Sequence, residues 1–164
     1  MKPDVIVVGG GAAGLVAARA ASMRGLKTLL TERNARCARK LLITGKGRCN
    51  ITNTANREEF FDNIVTNARF LYSALSRFGH GDIRNLLHEA GVPTKAERGG
   101  RVFPASDKSA DVARALEQLA RKEGVRIRTD ARVKNIDTED GAVRAVCLHG
   151  GETIACRSVI LCTG

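Results

Sequence analysis

Three glycines, Gly9, Gly11 and Gly14, are spaced as Gly-x-Gly-x-x-Gly between an apolar run, Val5–Val8, and a small-residue stretch at 15–23. A strand, a tight turn and a helix in that order suit a pyrophosphate. The first glycine allows the turn, the second lets backbone approach the phosphates, and the third lets helix and strand pack closely. The helix N-terminus adds unpaired N–H groups and the positive end of its dipole. Residues 27–31 read as a second strand that ends in an acid, Glu32. A carboxylate at an exposed strand end there would accept hydrogen bonds from the hydroxyls of an adenosine ribose. The pattern predicts a βαβ unit over 4–32, with Gly9, Gly11, Ala13 and Gly14 at the pyrophosphate and Glu32 at the ribose. An acid at that place repels a ribose 2′-phosphate, which favours FAD or NAD over NADP; the neighbouring Arg33 is the one cation that argues the other way.

The elements that position this turn fit a chain of 164 residues, the size of one domain with a real core. Aromatic residues make up 4% and Trp is absent, which suits helix-on-sheet packing more than an aromatic-lined pocket. The formal charge of +10 raises nucleic acid as a partner. Most of the cations are scattered through periodic segments. One cluster, Arg33, Arg36, Arg39, Lys40, Lys46 and Arg48, follows the ribose acid, where a dinucleotide polyanion gives it a local use. Stacking aromatics interleaved with Arg and Lys are not evident, which ranks a nucleic-acid or anion-binding module below an enzyme. The five cysteines form no C-x-x-C pair and no zinc-ligand spacing, so no metal is expected and a reducing compartment is. The start imitates a signal peptide, but Asp4 and the glycines interrupt its apolar region. No apolar run approaches the roughly 20 residues of a membrane span. The expectation is a soluble, cytoplasmic protein with no membrane or nucleic-acid partner.

After Glu32 the periodicity lapses over 33–56, apart from the apolar step Leu41-Leu42-Ile43. A long irregular segment in a compact domain is usually functional. Residues 40–53, Lys-Leu-Leu-Ile-Thr-Gly-Lys-Gly-Arg-Cys-Asn-Ile-Thr-Asn, bring two glycines and several donors together and suit the wrapping of a cofactor by backbone N–H groups. Over 57–91 the pattern is helical, and its phenylalanines predict core packing; Asp82 reads as an N-cap and Gly91 as a stop. His80 and His88 read as capping or packing groups rather than catalysts. Gly99-Gly100 predicts a hairpin over 93–104. Asp107 or Ser109 can cap a helix that runs to Glu123 and stops at Gly124. A strand at 125–129 follows, then three short strands at 131–137, 142–148 and 152–156 joined by Asp140-Gly141 and Gly150-Gly151. A buried strand at 158–162 returns beside the first and leads to Thr163-Gly164. No general acid or base stands out. Cys49 reads as a packed residue rather than a redox thiol, since no partner cysteine is near in sequence.

Asp4-Val-Ile-Val-Val-Gly-Gly-Gly-Ala-Ala-Gly14, the loop at 39–53 and Gly100-Arg101-Val102-Phe103-Pro104 resemble the bacterial and archaeal FAD-dependent oxidoreductases of the aminoacetone oxidase or BaiN-like family. The resemblance runs over all 164 residues. It implies an α/β fold: a glutathione-reductase-type Rossmann FAD-binding domain with a parallel sheet, a helical insertion and a three-stranded antiparallel β-meander as crossover. The meander separates FAD from an NAD-only dehydrogenase domain better than the glycines do. By the resemblance Val133 offers backbone groups to the adenine, Lys40, Gly45, Gly47, Arg48 and Asn50 hold the rest of the cofactor, and Thr163 and Gly164 form a turn beside it. Arg101 would approach the flavin face to orient a substrate, although a solvated turn arginine reads equally well. The family loop usually has three glycines where this chain has Gly45-Lys46-Gly47, so a left-handed backbone at 46 would be costly.

The implied organisation is a βαβ unit over 1–34, a cofactor loop, helical insertion and hairpin over 35–107, and helix, strand, meander and closing strand over 108–164. The remainder of the FAD domain and the substrate domain would follow, which makes these residues an N-terminal portion, inactive alone. The implied activity is hydride transfer on an unknown small substrate, with NAD(P)H admitted as electron donor.

Overall fold

The computed structural model describes residues 2–164. The chain divides into two compact units, Met1–Leu41 with Leu116–Gly164, and Leu42–Ala115.

The first unit is built on β1 (Val5–Val8), α1 (Ala12–Ser22) and β2 (Thr28–Thr31). All four residues of β1 are buried, as expected of a central parallel strand covered on both faces. Ile6 and Val8 share a buried cluster with Ala131, Val146, Leu148 and Cys156. Alternation sends Val5 and Val7 to the other face. There α1 packs on β1 and β2 through a buried stripe of Gly14, Leu15, Ala18 and Ala21. The sheet is completed by β6 (Arg126–Arg128) and β10 (Ser158–Leu161), in the order β10-β1-β2-β6, all parallel. Between them in sequence lie β7 (Val133–Glu139), β8 (Ala142–Leu148) and β9 (Thr153–Ala155), an antiparallel meander. Asp140 (φ 50°) and Gly141 (φ 73°) make the tight turn that their identities predict. The closing strand differs from expectation. It has one neighbour, and Leu161 is 64% exposed, because β10 is an edge and not an interior strand.

The second unit contains β3 (Thr52–Asn53), α3 (Arg57–Asp62), α4 (Tyr72–Arg77), α5 (His80–Glu89), β4 (Thr94–Ala96) and β5 (Arg101–Pro104). The strands form one antiparallel sheet in the order β3-β5-β4. The boundaries between the units fall within α2 (Arg39–Ile43) and α6 (Ser109–Lys122). Asn56 opens α3 with a reciprocal cap: its Oδ1 accepts the Glu59 N–H at 3.0 Å and Glu59 Oε2 accepts the Asn56 N–H at 3.1 Å.

Three local expectations are corrected here. Asp82 is not the N-cap of α5; it stands in the first turn and accepts the Gly79 N–H at 2.7 Å. Neither Asp107 nor Ser109 caps α6. Asp107 is engaged by cations, and Ser109 donates to the Leu42 carbonyl at 3.0 Å. The phenylalanines of the helical stretch are not core: Phe70 is 78% and Phe78 42% exposed, while Leu86 and Leu87 take the buried positions. Helical spacing reports a face, and says nothing of what covers it.

Candidate cofactor-binding site

In the first unit the glycines of the turn have three different surroundings. Gly9 has φ +105°, and a Cβ on it would lie 2.5 Å from the Cys162 carbonyl oxygen. A Cβ on Gly14 would run into the Gly9 carbonyl oxygen, so this position holds helix and turn in contact. A Cβ on Gly11 would meet nothing within 4 Å. The backbone is therefore sealed at 9 and 14 and open at 11, where a ligand can approach. Gly11 is also the N-cap of α1 and lends it no side chain. The first intrahelical bond runs from Leu15 N–H to the Gly11 carbonyl at 3.0 Å, so the N–H groups of the preceding turn are the ones a phosphate would take. Ala12 and Ala13 are exposed there. The residues fit a pyrophosphate.

Glu32 is 8% exposed, not an open strand-end acid. Its Oε2 accepts the Gly10 N–H at 2.8 Å, and its Oε1 accepts the Asn34 backbone N–H at 2.9 Å and the Asn34 side-chain amide. A carboxylate offers about four acceptor positions. Three are used within the chain, which leaves one open. Asn34 is a partner of Glu32 that the sequence reading missed; its signal is the spacing, since Asn two residues after an acid can return a side-chain bond. Asn34 Oδ1 in turn accepts from Arg39 at 2.6 Å. Cys37 backs the turn, with its Sγ 2.6 Å from where a Gly10 Cβ would stand. Burial, then Glu117 and Glu32, push its thiol up to about 11, which keeps it neutral.

Arg33 is exposed and has no partner among the described residues. Lys40 is exposed too, with its Nζ 3.0 Å from where a Gly164 Cβ would stand, so Lys40 and the Thr163-Gly164 turn are adjacent. Val133 is half-buried at the start of β7, opposite Leu148.

In the second unit the loop is tightly wound. Gly45 (φ 55°), Lys46 (φ 56°), Gly47 (φ 84°) and Cys49 (φ 64°) are all left-handed. Lys46 thus does occupy a conformation that favours glycine, at a cost of roughly 1–2 kcal/mol. A Cβ on Gly45 would come within 3.0 Å of the Asn50 nitrogen and 3.1 Å of the Phe103 ring. Cys49 is buried, its N–H bonded to the Thr44 carbonyl at 3.0 Å, and burial raises its thiol above the ordinary range, in keeping with a packed residue. Lys46 and Asn50 are exposed.

Arg48 is committed within the unit. Its Nε and Nη2 donate to Asp107 Oδ1 at 2.8 and 2.6 Å, and Nη2 also donates to Glu97. The guanidinium carbon lies 4.2 Å from the centre of the buried Phe103 ring. Lys95 completes the group by pairing with Asp107 and Glu97. Arg48 and Lys95 hold both carboxyls below the usual carboxylate range. Arg101 is exposed on β5 and bonds back to the Arg98 carbonyl at 3.3 Å. His80 Nδ1 lies 3.2 Å from the Asn53 carbonyl, a packing role. Among the described residues no group of His, Cys, Asp and Glu could hold a metal, and no helix is long and apolar enough to cross a membrane.

Comparison with known proteins agrees with this geometry. The family described as HI0933-like protein Rossmann domain matches residues 3–164. The 3-dehydro-bile acid delta(4,6)-reductase of Clostridium scindens is 33% identical over 162 residues, covering 96% of this chain and 38% of its own. The ribosomal RNA dihydrouridine synthase of Escherichia coli is 29% identical, covering 98% and 39%. The chain thus spans about two fifths of the length of these relatives. Among solved structures, the 3-ketosteroid-delta4-(5alpha)-dehydrogenase of Rhodococcus jostii shares the fold with a TM-score of 0.73 at 20% identity, over 99% of this chain and 46% of that one. A flavocytochrome c3 fumarate reductase does so at 0.71 and 20%, over 99% and 34%. The parallel sheet, the glycine turn and the family match together place this chain in the HI0933-like family of flavoproteins, as a Rossmann-type domain whose cofactor is FAD.

Proposed function

We propose that the protein to which these residues belong is an FAD-dependent oxidoreductase that transfers a hydride to or from a small substrate. The observation that carries this reading is the turn that is closed by backbone at Gly9 and Gly14 and open at Gly11, at the head of α1. In this reading Gly9, Gly11, Ala13 and Gly14 bind the pyrophosphate, Glu32 and Arg33 the adenosine ribose and its surroundings, and the Val133 backbone the adenine. Lys40, Gly45, Gly47, Arg48, Asn50, Thr163 and Gly164 serve the rest of the cofactor, in the roles the family resemblance gives them. FAD supplies the hydride chemistry when bound. The chain's own residues bind and orient it: the α1 N-terminus offsets phosphate charge, and Glu32 fastens the turn through Gly10 while keeping one acceptor position for a hydroxyl.

The substrate class follows from what the relatives share. Both names describe reduction of a ring carbon–carbon double bond, in a 3-oxo bile acid and in uridine, each in a ring system that carries a carbonyl. Reduction of a double bond conjugated with a carbonyl is the reaction we assign, with NAD(P)H as donor. A second reading, a base within RNA as the substrate, is favoured by the dihydrouridine synthase relatives and by the +10 charge.

The test is a visible spectrum of the freshly purified full-length protein, then bleaching by NADH or NADPH and reoxidation by a 4-ene-3-oxo steroid or by uridine-containing RNA. Flavin bands with reoxidation by the steroid support the small-molecule reading. Reoxidation by RNA alone supports the second, and a colourless protein that binds ADP but no flavin overturns both in favour of an NAD-only domain.

A further inference from the structure

A loop with left-handed residues at 45, 46, 47 and 49 is a conformation that the chain does not hold unaided, because left-handed backbone normally occurs as single residues and here two of the four are not glycine. Two backbone bonds close it, from Arg48 N–H to the Gly45 carbonyl at 3.2 Å and from Cys49 N–H to the Thr44 carbonyl at 3.0 Å. A hydrogen bond between the Cys49 and Thr44 side chains adds to these within the loop, and Arg48 ties the segment to distant residues. Arg48 leaves the loop, forks onto Asp107 and Glu97, and lies on the same Phe103 ring whose edge would stand 3.1 Å from a Cβ at Gly45. Phe103 is 3% exposed, and Lys95 pairs with the same two carboxylates, through the other oxygen of Asp107 and the same oxygen of Glu97. Both ends of the wound segment therefore bear on a buried ring and an ion-pair group that belong to residues 95–107.

We infer that Arg48 is a positioning residue: its clamp on Asp107, Glu97 and Phe103 holds the 45–49 backbone left-handed, and this is what lets position 46 carry a lysine in a conformation that favours glycine. The claim that the held loop serves the cofactor rests on the FAD reading; the claim that the clamp sets the backbone does not. Lys46 has no partner among the described residues that would hold it in place of the clamp. Lysine at that position resists the left-handed basin and glycine does not, so clamp and residue 46 must be energetically coupled. An ordinary surface ion pair would show no such coupling.

The experiment is a double-mutant cycle in the full-length protein: wild type, Lys46→Gly, Arg48→Gln and the pair. Amide hydrogen exchange at residues 45–50 is read without added FAD, and the FAD dissociation constant by flavin fluorescence. Arg48→Gln is expected to speed exchange on the order of tenfold and to weaken FAD by a similar factor. Adding Lys46→Gly should return both to within about threefold of wild type, while Lys46→Gly alone leaves FAD affinity within that range because the clamped loop is already held. Arg48→Lys keeps the charge, loses the fork, and should behave like Arg48→Gln. If Arg48→Gln does not fold, Asp107→Asn replaces it in the same cycle with the same expectation. Additive effects on FAD affinity, or an Arg48→Gln variant that exchanges as wild type does, overturn the inference. If wild type binds no FAD the cofactor reading falls, and the exchange cycle still decides whether the clamp sets the loop.

Discussion

Glu32 Oε2 and the Gly10 backbone N–H are joined by a buried 2.8 Å hydrogen bond across 22 residues of sequence, and it ties the end of β2 to the middle of the phosphate turn. The acid that reads as a ribose ligand is therefore also a strut of the turn.

Replacing Glu32 by Ala leaves a buried N–H without a partner. The expected cost is about 1–3 kcal/mol of stability, together with weaker FAD binding. Glu32→Gln retains an acceptor and should lose less of the first than of the second. Urea unfolding alongside a flavin titration checks this; an Ala variant as stable as wild type would return Glu32 to a purely ligand-facing role.

Gly11 and Gly14 should fail in different ways. Gly14→Ala drives a methyl group into the Gly9 carbonyl and is expected to cost more than about 2 kcal/mol. Gly11→Ala meets no atom, so stability should stay within about 1 kcal/mol of wild type, the cost of a poorer N-cap, while affinity for FAD or ADP falls. Thermal melts and calorimetric titration of the two variants separate fold from site.

The first unit was largely legible in the sequence, and the reason is range. The run Val5–Val8, the glycine spacing and the Asp140-Gly141 turn are local signals, and each produced the element it predicts. The Arg48 group was not legible, because Glu97 and Asp107 stand 49 and 59 residues away and nothing in their neighbourhoods marks them as partners. Phe70 and Phe78 misled for a related reason: spacing put them on helix faces, and burial is decided by what else packs there.

Acid should release the clamp. The Glu97 carboxyl sits below the usual carboxylate range because Arg48 bonds it, and the Asp107 carboxyl because Lys95 and Arg48 bond it, with desolvation by burial opposing both. A depressed carboxyl pKa stabilises the fold above the unfolded-state value and loses that contribution as pH falls through the folded one. Melting temperatures of wild type and Asp107→Asn should therefore differ at pH 7, begin to converge as pH falls below about 4, the ordinary carboxylate value, and meet only once pH is below the depressed folded-state value. The gap should also narrow in high salt, since Arg48 and Asp107 are each more than a third exposed on the side chain. A difference that persists at low pH would mean that packing, not charge, sets it.

Binding to nucleic acid through the +10 charge alone should fall steeply and uniformly as salt rises, whatever the sequence. Filter binding of unrelated RNAs over a salt series checks this. Sequence-selective binding that survives physiological salt would make RNA the favoured substrate class.

The order β10-β1-β2-β6 leaves two unlike borders. On β6, Arg126 and Arg128 flank Ile127, and Arg128 carries Glu152 with it at 2.6 Å, so a second strand that approaches this side meets charged side chains that must be displaced or desolvated. On β10 the sequence is Ser-Val-Ile-Leu, with no charge and with Leu161 open to solvent. One border is guarded against self-pairing and the other invites it. Aggregation of these 164 residues, where it occurs, will start from β10, and a lysine at position 161 is the change that would keep the molecules apart.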